Sequence, residues 1–363
     1  MSRNRIIKAL LMAGAAALAL LLVVLAAGCG GSTGTTAGTT ATAAQQTNFD
    51  KTAKMMTEFL NSPSVKPMSP TELNTILTDG NPNNDPLVLD VRDETDYANA
   101  SAKSPGHIKG AINVPFRKVA DPANVSKIST ALASHADKTI VVHCYTAHTQ
   151  SIDMPVLYEL AQSGQLGTPA PKIVGLDWGM MGYNSVETPP TYNNTYPLET
   201  TANQPAASAS LPSVTNDFQK QAQAVLADMP GRLNIDKGAQ TVKDKPLSDY
   251  TVIDIRSADE YAKGHMPGAV NVDYKTMFNQ ENGTYPNLKK ISTAKQILVV
   301  GDNQYTEEFV AVGLNLLNID QSKFNTGALG FDIATWNNTV GRQFTAADKH
   351  TFPVVTGATP DGS

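Results

Sequence analysis

Cysteine is scarce in this sequence: the 363 residues contain only Cys29 and Cys144. Two cysteines cannot form the several disulfides of a stapled fold, and no cysteine and histidine cluster has the spacing of a structural zinc site. We therefore expect no metal ion and no cofactor. Charged residues make up only 17% of the chain, and the formal net charge is -5. An acidic chain has no general attraction for phosphates, so we expect no nucleic acid partner.

The first 28 residues have the layout of an export signal. A short basic stretch is followed by residues 9–28, which are all apolar or glycine. Small residues before Cys29 resemble the lipobox of bacterial lipoproteins, in which that cysteine carries the lipid. An uncleaved membrane span is the alternative, because about 20 apolar residues can cross a bilayer. The uncharged residues 29–47 predict a flexible tether, so we expect an exported, membrane-anchored lipoprotein in the periplasm or on the outer cell surface.

The rest of the chain repeats one sequence pattern, and its length leaves room for about two domains. We expect a first domain over residues 48–187, a linker rich in Pro, Thr, Ser and Ala over 188–214, a second domain over 215–345, and a tail over 346–363. The first copy carries an insertion around residues 98–104. The matching segments are 87–92 (LVLDVR) with 251–256 (TVIDIR), 106–114 (GHIKGAINV) with 264–272 (GHMPGAVNV), and 139–143 (TIVVH) with 297–301 (ILVVG).

Within each copy, short β-branched apolar runs alternate with helical stretches such as residues 151–161 and 307–317. Continuous apolar strands alternating with helices predict an α/β fold, in which a mostly parallel sheet is flanked by helices on both faces. Sites in such sheets form beyond the carboxyl ends of the strands. Cys144 follows a predicted strand directly and therefore lies at such an end.

Cys144 also precedes a helix that we expect to begin near Gln150. Backbone N–H groups and the positive end of the helix dipole favour the thiolate there, which is the nucleophilic form of cysteine. The alternative is a small buried apolar residue without reactivity. Because an unpaired thiol outside the cytoplasm is a liability unless it is used, the pattern favours a functional thiol.

These motifs together resemble the rhodanese (sulfurtransferase) family: Asp90-Val91-Arg92, residues 106–115, and a strand that ends in cysteine with a six-residue loop. The resemblance covers both copies, and implies tandem rhodanese-like domains in which Cys144 accepts a sulfane sulfur. The persulfide would be stabilised by loop amides and would pass its sulfur to a thiol, cyanide or sulfide acceptor. The active-site loop implied by the resemblance comprises Cys144, Tyr145, Thr146, Ala147, His148 and Thr149.

The loop departs from the family pattern because it has no arginine or lysine. A weaker positive field disfavours the dianion thiosulfate as donor, and leaves polysulfide or a persulfide. His148 either stabilises an anion when protonated or caps the helix. Related phosphatases and arsenate reductases carry arginine at the position of Gln150, so phosphate or arsenate chemistry is not expected. We expect His143, Asp90 and Gln150 to act from behind the loop.

Aligned letter by letter, the second copy has Asp302 in place of Cys144. A carboxylate carries no sulfur, so this copy is expected to be non-catalytic and to serve as a scaffold or as a lid over the first site. The residue pairs Asp90 and Asp254, Arg92 and Arg256, and His107 and His265 occur in both copies, and catalysis alone does not explain them. Trp178 and Trp336 are interpreted as core residues.

The sequence thus predicts a sulfurtransferase outside the cytoplasm, with a redox or respiratory protein as a possible partner. Three alternatives stay open. The chain is a non-enzymatic sulfur or polysulfide carrier for a membrane respiratory system, a thiol protein that handles selenite or tellurite, or a purely structural tandem in which Cys144 is unreactive.

Overall fold

The computed structural model describes residues 43–98, 106–184, 197–205, 210–229, 235–236, 241–242, 245–319, 327–328, 333, 337, 345–351 and 353–354. The expected signal over 1–28, the lipidated Cys29, most of the insertion and Trp336 lie outside these residues. Within the described part, no helix combines the length and the apolar character needed to cross a membrane.

The described residues include nine α-helices and eleven β-strands. The helices are α1 (Ala43–Leu60), α2 (Pro70–Thr78), α3 (Glu94–Tyr97), α4 (Pro122–Ala133), α5 (His148–Gln162), α6 (Gly179–Tyr183), α7 (Phe218–Asp228), α8 (Ala258–Lys263) and α9 (Gln304–Leu316). The strands are β1 (Leu87–Asp90), β2 (Ile112–Asn113), β3 (Thr139–His143), β4 (Lys172–Gly175), β5 (Ile235–Asp236), β6 (Thr241–Val242), β7 (Lys245–Pro246), β8 (Tyr250–Asp254), β9 (Val270–Asn271), β10 (Gln296–Val300) and β11 (Gly327–Ala328).

Each copy forms a four-stranded parallel sheet with the same topology. The order is β2-β1-β3-β4 in the first copy and β9-β8-β10-β11 in the second. Every pairing within these two sheets is parallel. The expected α/β fold is confirmed, and a small antiparallel sheet of β5, β6 and β7 precedes the second sheet.

The two sheets share one hydrophobic core. Alternate residues of β1 point to opposite faces: Leu87 and Leu89 join the shared core, whereas Val88 joins a separate core of the first copy. In β8, Ile253 faces the shared core and Val252 faces a core of the second copy. Helices α1, α5, α7 and α9 contribute buried side chains to this shared core. Because each buried aliphatic side chain stabilises a fold by about 1.5–3 kcal/mol, the copies depend on each other for stability.

Helix α1 begins earlier than the sequence suggested. It starts at Ala43, so the last residues of the stretch interpreted as tether over 29–47 are helical. Phe49, Met56 and Phe59 of this helix are buried in the shared core. Apolar residues at helical spacing override the polar, uncharged composition of the helix's first turn.

Candidate active site

Cys144 lies at the carboxyl end of the central strand β3, on the turn that leads into α5. Ala147 adopts a left-handed conformation with φ of 67°, and this bend allows the helix to begin at His148. Cys144 is 3% exposed and lines a cavity of about 210 Å³. The expected placement of the thiol between a strand end and a helix N-terminus is therefore present. The cavity is lined by Val91, Arg92, Asp93, Asp96, Phe116, Cys144, Tyr145, Thr146, His148 and Thr149.

The backbone of Cys144 is held on both sides by neighbouring elements. Its N–H donates to Oε1 of Gln150 at 3.1 Å, and the amide of Gln150 donates to the carbonyl of Leu176 at 2.8 Å. The carbonyl of Cys144 accepts from the N–H of Met180 at 2.8 Å. Gly179 permits this approach, because a Cβ there would lie 2.5 Å from the Cys144 oxygen. Gln150 thus fixes the loop from within the protein and does not line the cavity.

Asp90 and Arg92 form a buried ion pair behind the loop. Nη2 of Arg92 lies 2.5 Å from Oδ2 of Asp90 and donates to the carbonyl of Gly106 at 2.8 Å. Nε2 of His143 lies 3.6 Å from the same carboxylate. Burial lowers the pKa of His143 to about 4, so its ring is neutral at pH 7. Burial alone would raise the pKa of Asp90, but His143 and Arg92 outweigh it and hold the pKa below its ordinary value.

The second copy repeats this ion pair without a thiol. Nη2 of Arg256 lies 2.7 Å from Oδ2 of Asp254 and donates to the carbonyl of Gly264 at 2.7 Å. His107 and His265 likewise stack on a tyrosine in each copy, at centroid distances of 3.8 Å and 3.6 Å. Identical contacts around a cysteine and around a cysteine-free loop identify these residues as parts of the fold.

The position of Cys144 is occupied in the second copy by Gly301, and the expected match with Asp302 is wrong. Strand pairing aligns Asp90 with His143 and Asp254 with Val300, so the residue after each strand is Cys144 and Gly301. The N–H of Gly301 donates to Glu307 at 2.6 Å, as Cys144 does to Gln150. The letter alignment failed by one residue because two buried apolar strands carry no alternating pattern that fixes their register.

Asp302 itself lies beside the ion pair of the second copy. Its Oδ1 is 3.8 Å from Nη1 of Arg256, and its side chain is half exposed. A carboxylate at this place matches Tyr145 of the first copy in the corrected register. The second copy therefore presents glycine where the first presents a thiol, and its loop over residues 301–306 contains no cysteine.

The first turn of α9 in the second copy contacts the cysteine loop directly. Gln304 donates its amide to the carbonyl of Thr146 at 2.6 Å. Glu308 is buried, and its carboxylate lies against Nδ1 of His148. These two contacts join residues that lie far apart in the sequence.

Tyr305 of the same turn supports the segment that holds the loop. Its hydroxyl donates to the carboxylate of Asp177 and accepts from the N–H of Trp178 at 2.7 Å. Trp178 is buried and does not line the cavity, in agreement with its interpretation as a core residue. No sequence motif signalled Gln304, Tyr305 or Glu308, because their partners belong to the other copy.

The structure brings most of the predicted loop residues together around one cavity. Tyr145, Thr146, His148 and Thr149 line it with Cys144, whereas Ala147 is fully buried. Asp93 and Asp96 also line it. Among the described residues, no group of three or more His, Cys, Asp or Glu side chains is placed to hold a metal ion.

Comparison with known proteins places this geometry in a family. The profile of the Rhodanese-like domain matches residues 69–185 and 238–327. The chain belongs to the rhodanese-like family. Both matches fall on the two parallel sheets, so this is a tandem rhodanese-like protein whose first copy carries the cysteine loop.

Solved structures with similar folds include a thiosulfate sulfurtransferase from Pseudomonas aeruginosa. It is 16% identical, with 82% of this chain and 49% of that chain covered at a TM-score of 0.25. An anaerobic ergothioneine biosynthesis enzyme from Chlorobium limicola is 15% identical, with 79% and 64% covered at a TM-score of 0.24. This chain thus spans about half to two thirds of the length of those proteins. No curated protein sequence matches the tandem rhodanese-like chain significantly.

Proposed function

We propose that this protein is a sulfurtransferase that carries sulfane sulfur on Cys144. The supporting observation is the placement of Cys144 in the lining of a cavity, on the loop that joins the carboxyl end of β3 to the start of α5. Cys144 is also the free cysteine of the described residues.

The proposed reaction has two half-reactions, and neither needs an external oxidant. The Cys144 thiolate attacks the outer sulfur of the donor, the donor's S–S bond breaks, and the remainder leaves with the electron pair. From thiosulfate the leaving group is sulfite, and from a polysulfide it is a shorter polysulfide. A thiolate, cyanide or sulfide then attacks the terminal sulfur of the persulfide and releases Cys144 as thiolate.

The proposal includes the setting outside the cytoplasm. Residues 1–28 as an export signal and Cys29 as the lipid attachment site would hold the domains at a membrane. A redox or respiratory protein at that membrane is the proposed partner, as the source or recipient of the sulfur. In this proposal the cysteine-free copy supports the loop of the first copy through Gln304, Tyr305 and Glu308.

Intact-mass measurement tests the covalent step. The full chain with Cys29→Ser is exposed to polysulfide or to thiosulfate, and the matched control also carries Cys144→Ser. We expect a gain of one sulfur, about 32 Da, only where Cys144 is present. Turnover with cyanide or a thiol then separates an enzyme from a carrier that loads once. A folded protein that gains no sulfur from either donor contradicts the proposal.

A further inference from the structure

The cavity at Cys144 has an acidic wall. Asp93 and Asp96 line it from the start of α3, a segment that lies far from the cysteine loop in the sequence. Asp93 precedes the helix, and its side chain makes no capping hydrogen bond. It is exposed, and Asp96 is partly exposed. Among the described residues, neither carboxylate forms a buried ion pair such as that of Asp90 with Arg92.

The basic side chains of the same lining each lie against a carboxylate. Arg92 is bonded to the buried Asp90 at 2.5 Å. His148 lies against the buried carboxylate of Glu308, which offsets any charge on its ring. Among the described residues that line the cavity, the charges that remain are those of Asp93 and Asp96, so this part of the lining is net negative.

A negatively charged lining favours or disfavours a ligand according to the ligand's charge, wherever in the cavity the ligand binds. Exposed charges act over about 8 Å at physiological ionic strength. This range spans a cavity of about 210 Å³, so every occupant feels both carboxylates. A dianion is repelled twice as strongly as a monoanion, whereas an ammonium group is attracted.

We propose that Asp93 and Asp96 make the Cys144 site selective for uncharged or cationic sulfur compounds and exclude dianions. Amine-bearing or neutral thiols, persulfides and thiones are the matching substrate class, and thiosulfate is a poor donor. This inference rests on the proposed sulfurtransferase function. It assigns a role to two residues that contribute neither to the thiol nor to the loop.

Charge-matched thiol reagents test the field at Cys144 independently of sulfur transfer. Methanethiosulfonates with an ammonium, a methyl or a sulfonate group react alike: the thiolate attacks the sulfenyl sulfur, a disulfide forms, and methanesulfinate leaves with the electron pair. The full chain with Cys29→Ser offers Cys144 as its one thiol. We expect the ammonium reagent to react fastest and the sulfonate reagent slowest.

Paired variants show whether the two carboxylates cause this order. Asp93→Asn combined with Asp96→Asn should lower the ammonium-to-sulfonate rate ratio by about tenfold. Glu94→Gln is the matched control, because Glu94 is an exposed carboxylate of the same helix that does not line the cavity. Its ratio should fall clearly less than that of the double variant, because Glu94 carries one charge and does not line the cavity. Dividing one rate by the other cancels changes that affect both reagents equally.

Three outcomes overturn the inference: a ratio unchanged by the double substitution, an equal fall caused by Glu94→Gln, or no reaction of Cys144 with any reagent. None of them depends on persulfide formation. A protein that fails to gain sulfur but keeps the charge order would refute the proposed function and retain the charge selectivity. A protein that gains sulfur but does not show this order of rates would support the proposed function and refute the charge selectivity.

Discussion

Replacing Asp153 should stabilise the protein and remove part of its pH dependence. Asp153 lies on α5 and is fully buried, and neither carboxyl oxygen has a hydrogen-bond partner among the described residues. Burial raises the pKa of Asp153 well above its ordinary value of 3.8. In the corrected register the second copy has Val310 at this position of α9. Asp153→Val therefore introduces the residue that the second copy carries at the equivalent position.

The magnitude has two parts. An unpaired buried polar group costs about 1–3 kcal/mol, and valine removes this cost at similar volume. The second part depends on pH, because the folded state keeps the proton after the unfolded chain has lost it. Stability then falls as pH rises above the unfolded pKa, by about 1.4 kcal/mol per pH unit, until the folded carboxyl ionises as well.

Denaturant unfolding at a series of pH values between about 4 and 8 measures both parts. The parent protein should lose stability relative to Asp153→Asn as pH rises, and Asp153→Val should exceed Asp153→Asn by about 1–3 kcal/mol throughout. Other titrating groups are common to all three proteins and cancel in the differences. Parallel curves for parent and variants would refute the assignment of a buried, unpaired carboxyl.

Four further substitutions test the support of the cysteine loop and the two equivalent buried ion pairs. Gln304→Ala removes a hydrogen bond to the loop and should speed amide exchange there by about tenfold; unchanged exchange would contradict the support from the second copy. Gly179→Ala places a Cβ 2.5 Å from the Cys144 oxygen at φ of +54°, and should lower the free energy of unfolding by about 2–4 kcal/mol. Asp90→Asn and Asp254→Asn each leave a buried arginine with a weakened partner. Each of these two substitutions should lower the free energy of unfolding, measured with denaturant, by about 3 kcal/mol. A loss caused by only one of them would contradict the shared role of the two ion pairs in the fold.

Much of the fold follows from local signals in the sequence. The apolar runs at residues 87–89 and 140–142 became β1 and β3, and the helical stretch at 151–161 lies inside α5. The repeated motifs predicted two copies of one sheet. Boundaries were less exact: α9 begins at Gln304, before the expected 307, because Asn303 accepts hydrogen bonds from the N–H groups of Tyr305 and Thr306.

The site was predicted in part. The cysteine, its loop and its helix follow from the order strand, cysteine, helix. The contacts of Glu308 with His148 were beyond sequence reasoning, because they depend on how the two copies pack. The identity of Gly301 as the counterpart of Cys144 was also out of reach, since backbone pairing decides the register of a fully buried strand. Local patterns specify elements, and tertiary packing specifies which residues meet.

The two copies differ in the turn that follows β3 in the first copy and β10 in the second. Gly301 stands where a second thiol would be, and a Cβ there would lie 3.1 Å from the side chain of Ile255. Gln304, Tyr305 and Glu308 of the same turn are engaged with the neighbouring copy. A single substitution of Gly301 to cysteine would therefore crowd Ile255 and would not by itself reproduce the first site. The two copies have unequal parts in one structure, because the turn after the cysteine-free strand end of the second copy holds the loop that carries the thiol.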